Sequence, residues 1–213
     1  MIPELIDQAR AFLIFQEDLS TFVLRDGQET FIKQIDYPSL VKTIEQTNFQ
    51  SDWYLSNLRL LKMSQLDGKI FTVSSLAADT YLLRFEDFQL KVPLPKAVVV
   101  HCQSQLWLYA YRGKLALDSI LYHFPLPNIG DTGKVCWGNV SIRSDAPEKT
   151  WQSFIESEFN LDYSNNKSKA YPRSVVAQLQ AISQSLNTVY PEADLVPTRW
   201  TLATLPQIKE CSY

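Results

Sequence analysis

Two apolar runs separated by only two residues place the strongest constraint on the fold of this chain. Ala97–Cys102 reads AVVVHC, Gln105–Tyr111 reads QLWLYAY, and Gln103-Ser104 lies between them. Runs rich in β-branched and aromatic residues that are joined by so short a turn predict an antiparallel hairpin. The first run is typical of a central strand, and the alternation in the second predicts a neighbouring strand with one wetter face. Cys102 is accordingly predicted to be a buried structural thiol.

Other β-prone runs surround this hairpin. Lys69–Ser75, Thr80–Phe85 and Phe88–Val92 precede it and predict one continuous antiparallel meander with it. Three runs near the start predict a separate small meander: Ala11–Phe15, Thr21–Leu24 and Glu29–Ile35.

Three helices are expected. A short amphipathic helix is predicted over Tyr37–Thr47, and Ser51–Met63 after it fits neither helical nor strand periodicity. Pro147 opens a helix whose core stripe consists of Trp151, Phe154, Ile155 and Phe159. Pro172 opens another, with one apolar face formed by Val175, Leu179, Ile182, Leu186 and Val189. The polar segment Asp162–Lys169 between them reads as a linker, and the stretch beyond, with Pro191, Pro197 and Pro206, is expected to be irregular.

These elements predict an α+β fold with an antiparallel meander and flanking helices. We divide the chain into three parts. Residues 1–65 are predicted to form an N-terminal β-rich extension with a short helix, residues 66–160 the core, and residues 161–213 a linker with a C-terminal helix and tail.

Composition excludes several classes of function. Apolar residues make up 46% of the chain and charged residues 20%, as in ordinary globular proteins. The net charge of -3 is spread along the chain, so a nucleic-acid partner is not expected. No apolar run approaches the roughly 20 residues that span a bilayer, and the first residues do not read as a signal peptide. We therefore expect a cytoplasmic protein without a membrane partner.

The cysteines and histidines argue against metal chemistry. The three cysteines, Cys102, Cys136 and Cys211, have no metal-type spacing, and the two histidines, His101 and His123, form no ligand motif. An odd number of cysteines in a reducing compartment also disfavours a disulfide framework. Neither a metal nor another cofactor is expected, and Cys211 is expected to be an incidental thiol near a frayed end.

One segment carries candidate chemistry. Leu121–Asn139 reads LYHFPLPNIGDTGKVCWGN, and its prolines and glycines predict an ordered loop. Cys136 lies between Gly133 and Gly138, where a partner could reach the thiol. Eight positions earlier, Asn128 offers an amide that could donate to an oxyanion during acyl transfer. Because no general base lies nearby in sequence, the thiol is better suited to carry an activated acyl group than to hydrolyse a peptide bond.

The spacing of these residues resembles that of a known family. Leu126-Pro127-Asn128-Ile129 followed by Gly133-Lys134-Val135-Cys136 resembles the active-site loop of ubiquitin-conjugating enzymes, in which His-Pro-Asn precedes the acceptor cysteine. Over roughly residues 90–160, the strings VPLPKAVVV, LWLYAY, ILYHFPLPNI and GKVCWGNV resemble the prokaryotic ubiquitin-conjugating-like family D, typified by PRTRC system protein B.

The resemblance implies a ubiquitin-conjugating (UBC-like) fold and a division of roles. Cys136 would carry a ubiquitin-like modifier as a thioester, and Asn128 would stabilise the oxyanion or shape the loop. The implied partners are a ThiF-like adenylating enzyme that activates the modifier, the ubiquitin-like protein itself, and a protein substrate that supplies an amine.

The chain departs from the family pattern at two positions. Leu126 replaces the motif histidine, which removes a polar prop for the loop, and Gly138 stands where many conjugating enzymes carry an acidic residue. Asp131 and Asp145 flank the loop and could replace that acid, although each is better explained as a turn residue or a helix cap. Trp137 is either a partner-facing aromatic or a core residue, and the core role is favoured.

Two alternatives to an active enzyme stay open. The departures at Leu126 and Gly138 suit an inactive UBC-like module that docks a ubiquitin-like protein or its activating enzyme. An exposed loop cysteine could also act as a redox-sensing thiol.

Overall fold

The computed structural model describes residues 11–15, 19–26, 29–36, 49–50, 60–66, 68–138, 147–185 and 188–205. The chain divides into two compact units, residues 1–48 and residues 49–213. The helix predicted over Tyr37–Thr47 lies outside the described residues, as do most of Ser51–Met63, Asp145 and Cys211. The domain boundaries after residues 65 and 160 stay a prediction.

The first unit contains a three-stranded antiparallel sheet. Its strands are β1 (Ala11–Phe15), β2 (Leu19–Asp26) and β3 (Glu29–Asp36), paired in the order β1-β2-β3. The small N-terminal meander is thus confirmed. Its second and third strands are longer than the sequence predicted, because the pairing continues to the turn and joins Asp26 to Glu29.

The second unit contains the remaining strands, in two sheets. In chain order they are β4 (Phe49–Gln50), β5 (Leu60–Leu66), β6 (Lys69–Leu76), β7 (Asp79–Phe85), β8 (Gln89–Leu94), β9 (Ala97–Cys102), β10 (Gln105–Ala110), β11 (Ile120–His123), β12 (Glu158–Phe159) and β13 (Pro197–Thr201). Seven of them form an antiparallel sheet in the order β13-β11-β10-β9-β6-β5-β4, and β12-β7-β8 form the other sheet. The predicted β9–β10 hairpin is confirmed.

The prediction of one continuous meander is wrong. β6 pairs directly with β9, joining Val73 to Val100, and the β7–β8 hairpin leaves the main sheet. The burial of this hairpin explains the difference. Leu83 and Val92 are fully buried, whereas Leu82 is half exposed, so the hairpin has one apolar face and packs through it as a second layer.

The wetter face predicted for β10 is also wrong, because every residue of β10 except Gln105 is buried. Leu106 and Leu108 face one core cluster, while Trp107 and Tyr109 face a second cluster on the opposite side of the sheet. Leu202 from the C-terminal region covers that second face. The same region was expected to be irregular, yet it forms β13 and a 3₁₀ helix over Leu202–Thr204. Cys102 is buried, as predicted.

Two α-helices lie within the described residues, α1 (Pro147–Ile155) and α2 (Val175–Gln184). Trp151, Phe154 and Ile155 are buried in the core, as the helical spacing predicted. Phe159 is buried too, but in strand β12 beyond the helix. The Ser174 side chain caps α2 by accepting a hydrogen bond from the Ala177 N–H.

Helix α2 is shorter at both ends than the periodicity predicted. It starts three residues after Pro172 and ends at Gln184, so Val189 lies outside it with 72% of its surface exposed. Leu186 lies outside the described residues. The combination of sheets with these helices agrees with the predicted α+β class. No helix in the described ranges is long and apolar enough to cross a membrane.

Candidate functional site

The segment after β11 folds back along β10. Ile120–His123 belongs to β11, so the irregular segment begins at Phe124, three residues later than predicted. From there the chain is ordered by backbone hydrogen bonds. The Val135 N–H donates to the Leu106 carbonyl at 2.8 Å, and the Leu108 N–H donates to the Gly133 carbonyl at 2.9 Å. The predicted ordered loop is therefore confirmed for residues 124–138, which we call the cysteine loop.

Gly133 fixes the turn of the cysteine loop. Its φ of +81° lies in the left-handed region, and a Cβ atom at this position would lie 2.7 Å from Cζ of Tyr109. The Tyr109 hydroxyl is held in place because it donates a hydrogen bond to the carbonyl of Thr132. Glycine is the residue that meets both the conformational and the steric requirement.

Gly133→Ala should therefore destabilise the fold. Strained backbone alone costs about 1–3 kcal/mol, and the overlap with the Tyr109 ring adds to it. Gly113→Ala is the matched control, because Gly113 also has a positive φ of +59° but has nothing within 4 Å of the added Cβ. Urea denaturation should show the larger loss of unfolding free energy for Gly133→Ala. Equal losses would contradict the contact with Tyr109.

Asn128 joins the cysteine loop to the segment that follows strand β12. Its backbone φ is 59°, a conformation that asparagine tolerates better than most residues. Its carbonyl accepts the Cys136 N–H and its own N–H donates to the Asp162 carbonyl, both at 2.8 Å. Its side-chain amide donates to Oδ1 of Asn160 at 2.6 Å, and its Oδ1 accepts the Asn160 N–H at 3.1 Å. Both polar atoms of the Asn128 side chain therefore form hydrogen bonds with Asn160.

Cys136 and Asn128 lie on one cleft. The Cys136 side chain is exposed, in contrast to Cys102. The cleft has a volume of about 470 Å³ and is lined by Asn128, Cys136, Trp137, Gly138, Phe154, Ser157, Glu158, Phe159 and Asn160. The structure thus brings together the two residues that the sequence singled out, and it leaves the Cys136 thiol accessible from solvent.

Trp137 is one of the apolar residues that line this cleft, with Phe154 and Phe159. Its ring packs edge-on against Phe154 with the centroids 5.8 Å apart, and it rests on the main core. This packing agrees with the favoured core role. Its indole Nε1 is buried without a hydrogen-bond partner among the described residues. The Trp137 ring, directly after Cys136 in the chain, is therefore held by its packing against the core.

Glu158 is the cleft residue that the sequence did not reveal. Together with Ser157 and Asn160 it follows helix α1 and adds polar groups to the lining of the cleft. The periodicity had extended that helix to Phe159, which hid Glu158 on a helix surface. β12 instead pairs in parallel with β7, joining Glu158 to Arg84. The sequence signal that could have indicated an earlier helix end is the polar segment that starts at Asn160, directly after the apolar stripe.

Of the two acidic residues considered from sequence, Asp131 does not line the cleft and Asp145 lies outside the described residues. Asp131 is exposed on the cysteine loop, and its charge acts on Lys167 and His123. Burial lowers the pKa of His123, with Asp131 raising it and Lys167 lowering it further. Gly138 lines the cleft without offering a side chain. Glu158 therefore supplies the cleft with an acidic side chain, which Gly138 does not.

The segment read as a linker is packed against the cysteine loop. Lys167 is 1% exposed, and its Nζ donates hydrogen bonds to the carbonyls of Leu126, at 2.6 Å, and Ile129. Burial lowers the pKa of Lys167 to about 7, with the negative charge of Asp131 opposing the shift. Ser164 and Ser168 are also buried. Asp162–Lys169 is thus part of the folded unit, because its polar side chains meet backbone groups that need partners.

Comparison with known proteins gives one family. The model of prokaryotic E2 family D matches residues 36–198, a range that contains the cysteine loop, the cleft and Lys167. No curated protein and no solved structure matches the chain. In the part of the chain that the structure describes, no group of three or more His, Cys, Asp and Glu side chains could hold a metal ion.

Proposed function

This chain belongs to prokaryotic E2 family D, and from that membership we propose that it accepts a ubiquitin-like protein as a thioester on Cys136 and transfers it to an amine. Family membership itself gives an E2-like role. The observation that carries the finer proposal is that the exposed Cys136 and the side chain of Asn128 line the same cleft. A thiol carrier needs access to its partners and a nearby donor for developing negative charge.

Charging of Cys136 is an acyl transfer. A ThiF-like adenylating enzyme activates the modifier's C-terminus as an acyl adenylate or as an enzyme-bound thioester, and the Cys136 thiolate attacks the activated carbonyl. The new Sγ–C bond forms as the bond from the carbonyl carbon to AMP or to the enzyme's sulfur breaks, and that group departs with the electron pair. The thioester conserves the activation, so no cofactor is needed at Cys136.

Transfer to the acceptor passes through an oxyanion. An amine adds to the thioester carbonyl, loses a proton to solvent, and expels the Cys136 thiolate as the amide forms. The Asn128 amide carries two protons, and one is committed to Asn160. The other can be offered to the oxyanion, while the contacts of Asn128 with Asn160 and Asp162 keep the amide in place.

The same proposal also covers the fold of the chain, its substrate and its location in the cell. We assign the core a UBC-like arrangement, supported by the order of antiparallel strands, cysteine loop and helix. We also retain the likeness to PRTRC system protein B, the three-part division of the chain, a protein substrate and a cytoplasmic location as parts of the proposal.

Glu158 would attract the acceptor. Its side chain is exposed and lines the same cleft as Cys136, where a protonated lysine would arrive. Glu158→Gln should slow discharge of the thioester to free lysine by about 1.4- to fivefold, since an exposed ion pair contributes about 0.2–1 kcal/mol. The loss should appear mainly in the KM for lysine and shrink at high salt.

Glu156→Gln is the control for Glu158. The Glu156 carboxylate accepts a hydrogen bond from Gln152 on the surface of α1 and does not line the cleft. Discharge by the Glu156→Gln variant should match wild type. Identical kinetics for both variants would remove Glu158 from the mechanism.

A charging assay tests the proposal as a whole. The wild-type protein, mixed with its activating enzyme, ATP and the ubiquitin-like protein, should form an adduct that a thiol reductant cleaves. Cys136→Ala should form none. If wild type and Cys136→Ala give the same result, Cys136 is not the carrier.

The second candidate is an inactive docking module. It is favoured by Leu126, whose fully buried apolar side chain replaces the polar motif histidine, and by the missing side chain at Gly138. A module of this kind would bind the ubiquitin-like protein equally well as wild type and as Cys136→Ala, and it would give no adduct in either case.

A further inference from the structure

The cysteine loop needs a polar support that its own side chains do not supply. Leu126 points its side chain into the main core and is 0% exposed. The carbonyls of Leu126 and Ile129 bracket Pro127 and Asn128. Buried carbonyl groups require hydrogen-bond donors, because leaving them without partners costs free energy.

Lys167 supplies both donors from outside the loop. Its Nζ donates to the Leu126 carbonyl at 2.6 Å and also donates to the Ile129 carbonyl. Lysine is almost never fully buried unless it is paired, and Lys167 is 1% exposed. A single side chain therefore ties together the two ends of the segment that presents Asn128.

We propose that Lys167 is a positioning residue for transfer from Cys136, holding the Leu126 and Ile129 carbonyls so that Asn128 keeps its left-handed conformation. This inference rests on the proposed function. Its route to the reacting atoms is short, because the Asn128 carbonyl accepts the Cys136 N–H at 2.8 Å. Lys167 thereby sets where the Asn128 amide lies relative to the thioester.

The charges around Lys167 are consistent with this role. The charge of Asp131 favours the protonated amine of Lys167, whereas burial disfavours it. Lys167 in turn lowers the pKa of His123. Burial lowers the pKa of Lys167 to about 7. Both the amine and the ammonium carry at least two N–H donors, so the two carbonyl bonds can persist in either form.

The kinetic test uses Lys167→Met and Lys167→Gln, which remove the terminal amine while keeping a long side chain. Misplacing a reacting group by about 1 Å can cost about 10²-fold in rate, so we expect thioester discharge to slow by roughly 10- to 100-fold. Discharge is followed from charged protein isolated beforehand, so that any effect on charging is kept apart from the transfer step. Lys169→Met is the control, because the Lys169 side chain is exposed and its Nζ donates a hydrogen bond to the Ala193 carbonyl, at 3.3 Å.

A double variant separates positioning from general loss of stability. If Lys167 acts through Asn128, then Asn128→Gly with Lys167→Met should discharge no more slowly than Asn128→Gly alone. Multiplied losses would overturn the proposal. Discharge at the wild-type rate by Lys167→Met, with a native far-UV circular dichroism spectrum, would overturn it as well.

Hydrogen exchange tests the inference without any activity. In a folded Lys167 variant, the amide protons of Cys136 and Gly130 should exchange faster than in wild type, whereas that of Val99 in the central strand should not change. If wild type forms no thioester, the proposed function fails and exchange alone decides on Lys167. Unchanged exchange at Cys136 would then overturn the positioning role, and faster exchange would support it.

Discussion

Cys136→Ser should abolish the thiol-cleavable adduct with the ubiquitin-like protein. The substitution keeps the size and exposure of the side chain but replaces the thiol by a hydroxyl, which is a much weaker nucleophile near neutral pH. Losses of nucleophiles in enzymes reach about 10⁶ in rate. Any acyl group that did reach the serine would be held as an oxygen ester, which thiol reductants do not cleave.

The other cysteines provide the controls for this experiment. Cys102→Ala removes a thiol that is buried in β9, and Cys211→Ala removes the third cysteine of the chain. Both variants should be charged like wild type in a non-reducing gel assay. A thiol-cleavable adduct on Cys136→Ser that disappears on further replacement of Cys211 would move the carrier role to Cys211.

Asn128→Gly should slow discharge of the thioester by about 10²–10³-fold, the equivalent of about 3–4 kcal/mol for the loss of one oxyanion donor. Glycine is the informative replacement because it accepts the φ of 59° found at Asn128 while removing the amide. Asn128→Ala removes the same amide but adds backbone strain. Single-turnover discharge to free lysine, with the charged protein isolated beforehand, measures the transfer step by itself.

The two roles considered for Asn128 give different results. A donor role predicts slow discharge by Asn128→Gly with little change in thermal stability. A role confined to loop structure predicts a lowered Tm and near-normal discharge at low temperature. Asn160→Ala extends the comparison, since it removes the acceptor that orients the Asn128 amide but leaves the amide itself. It should cost less rate than Asn128→Gly if the donor role holds.

Local features of the fold were predictable from the sequence. The hairpin of β9 and β10 follows from two apolar runs with two residues between them, and the start of α1 follows from Pro147. The pairing of β6 with β9 was not predictable, because it skips the whole β7–β8 hairpin. Periodicity describes which face of a strand is apolar, but it does not say which partner covers that face.

The same distinction holds for the candidate site. The spacing of Asn128 and Cys136 is a local property of one loop, and the structure keeps them on one cleft. Glu158 and Lys167 reach the site through tertiary contacts, the first by pairing with β7 and the second by binding loop carbonyls. A lysine in a polar segment resembles any surface lysine until its carbonyl partners are known.

The late position of Lys167 in the chain has a consequence for biogenesis. Because synthesis starts at the N-terminus, Cys136 leaves the ribosome before the strand that carries Glu158 and before the lysine that ties Leu126 to Ile129. The thiol therefore emerges before the surroundings that would direct its chemistry. Fragments or fusions that end before Lys167 should expose a reactive cysteine on an unsupported loop, so expression vectors for this protein need to extend past it.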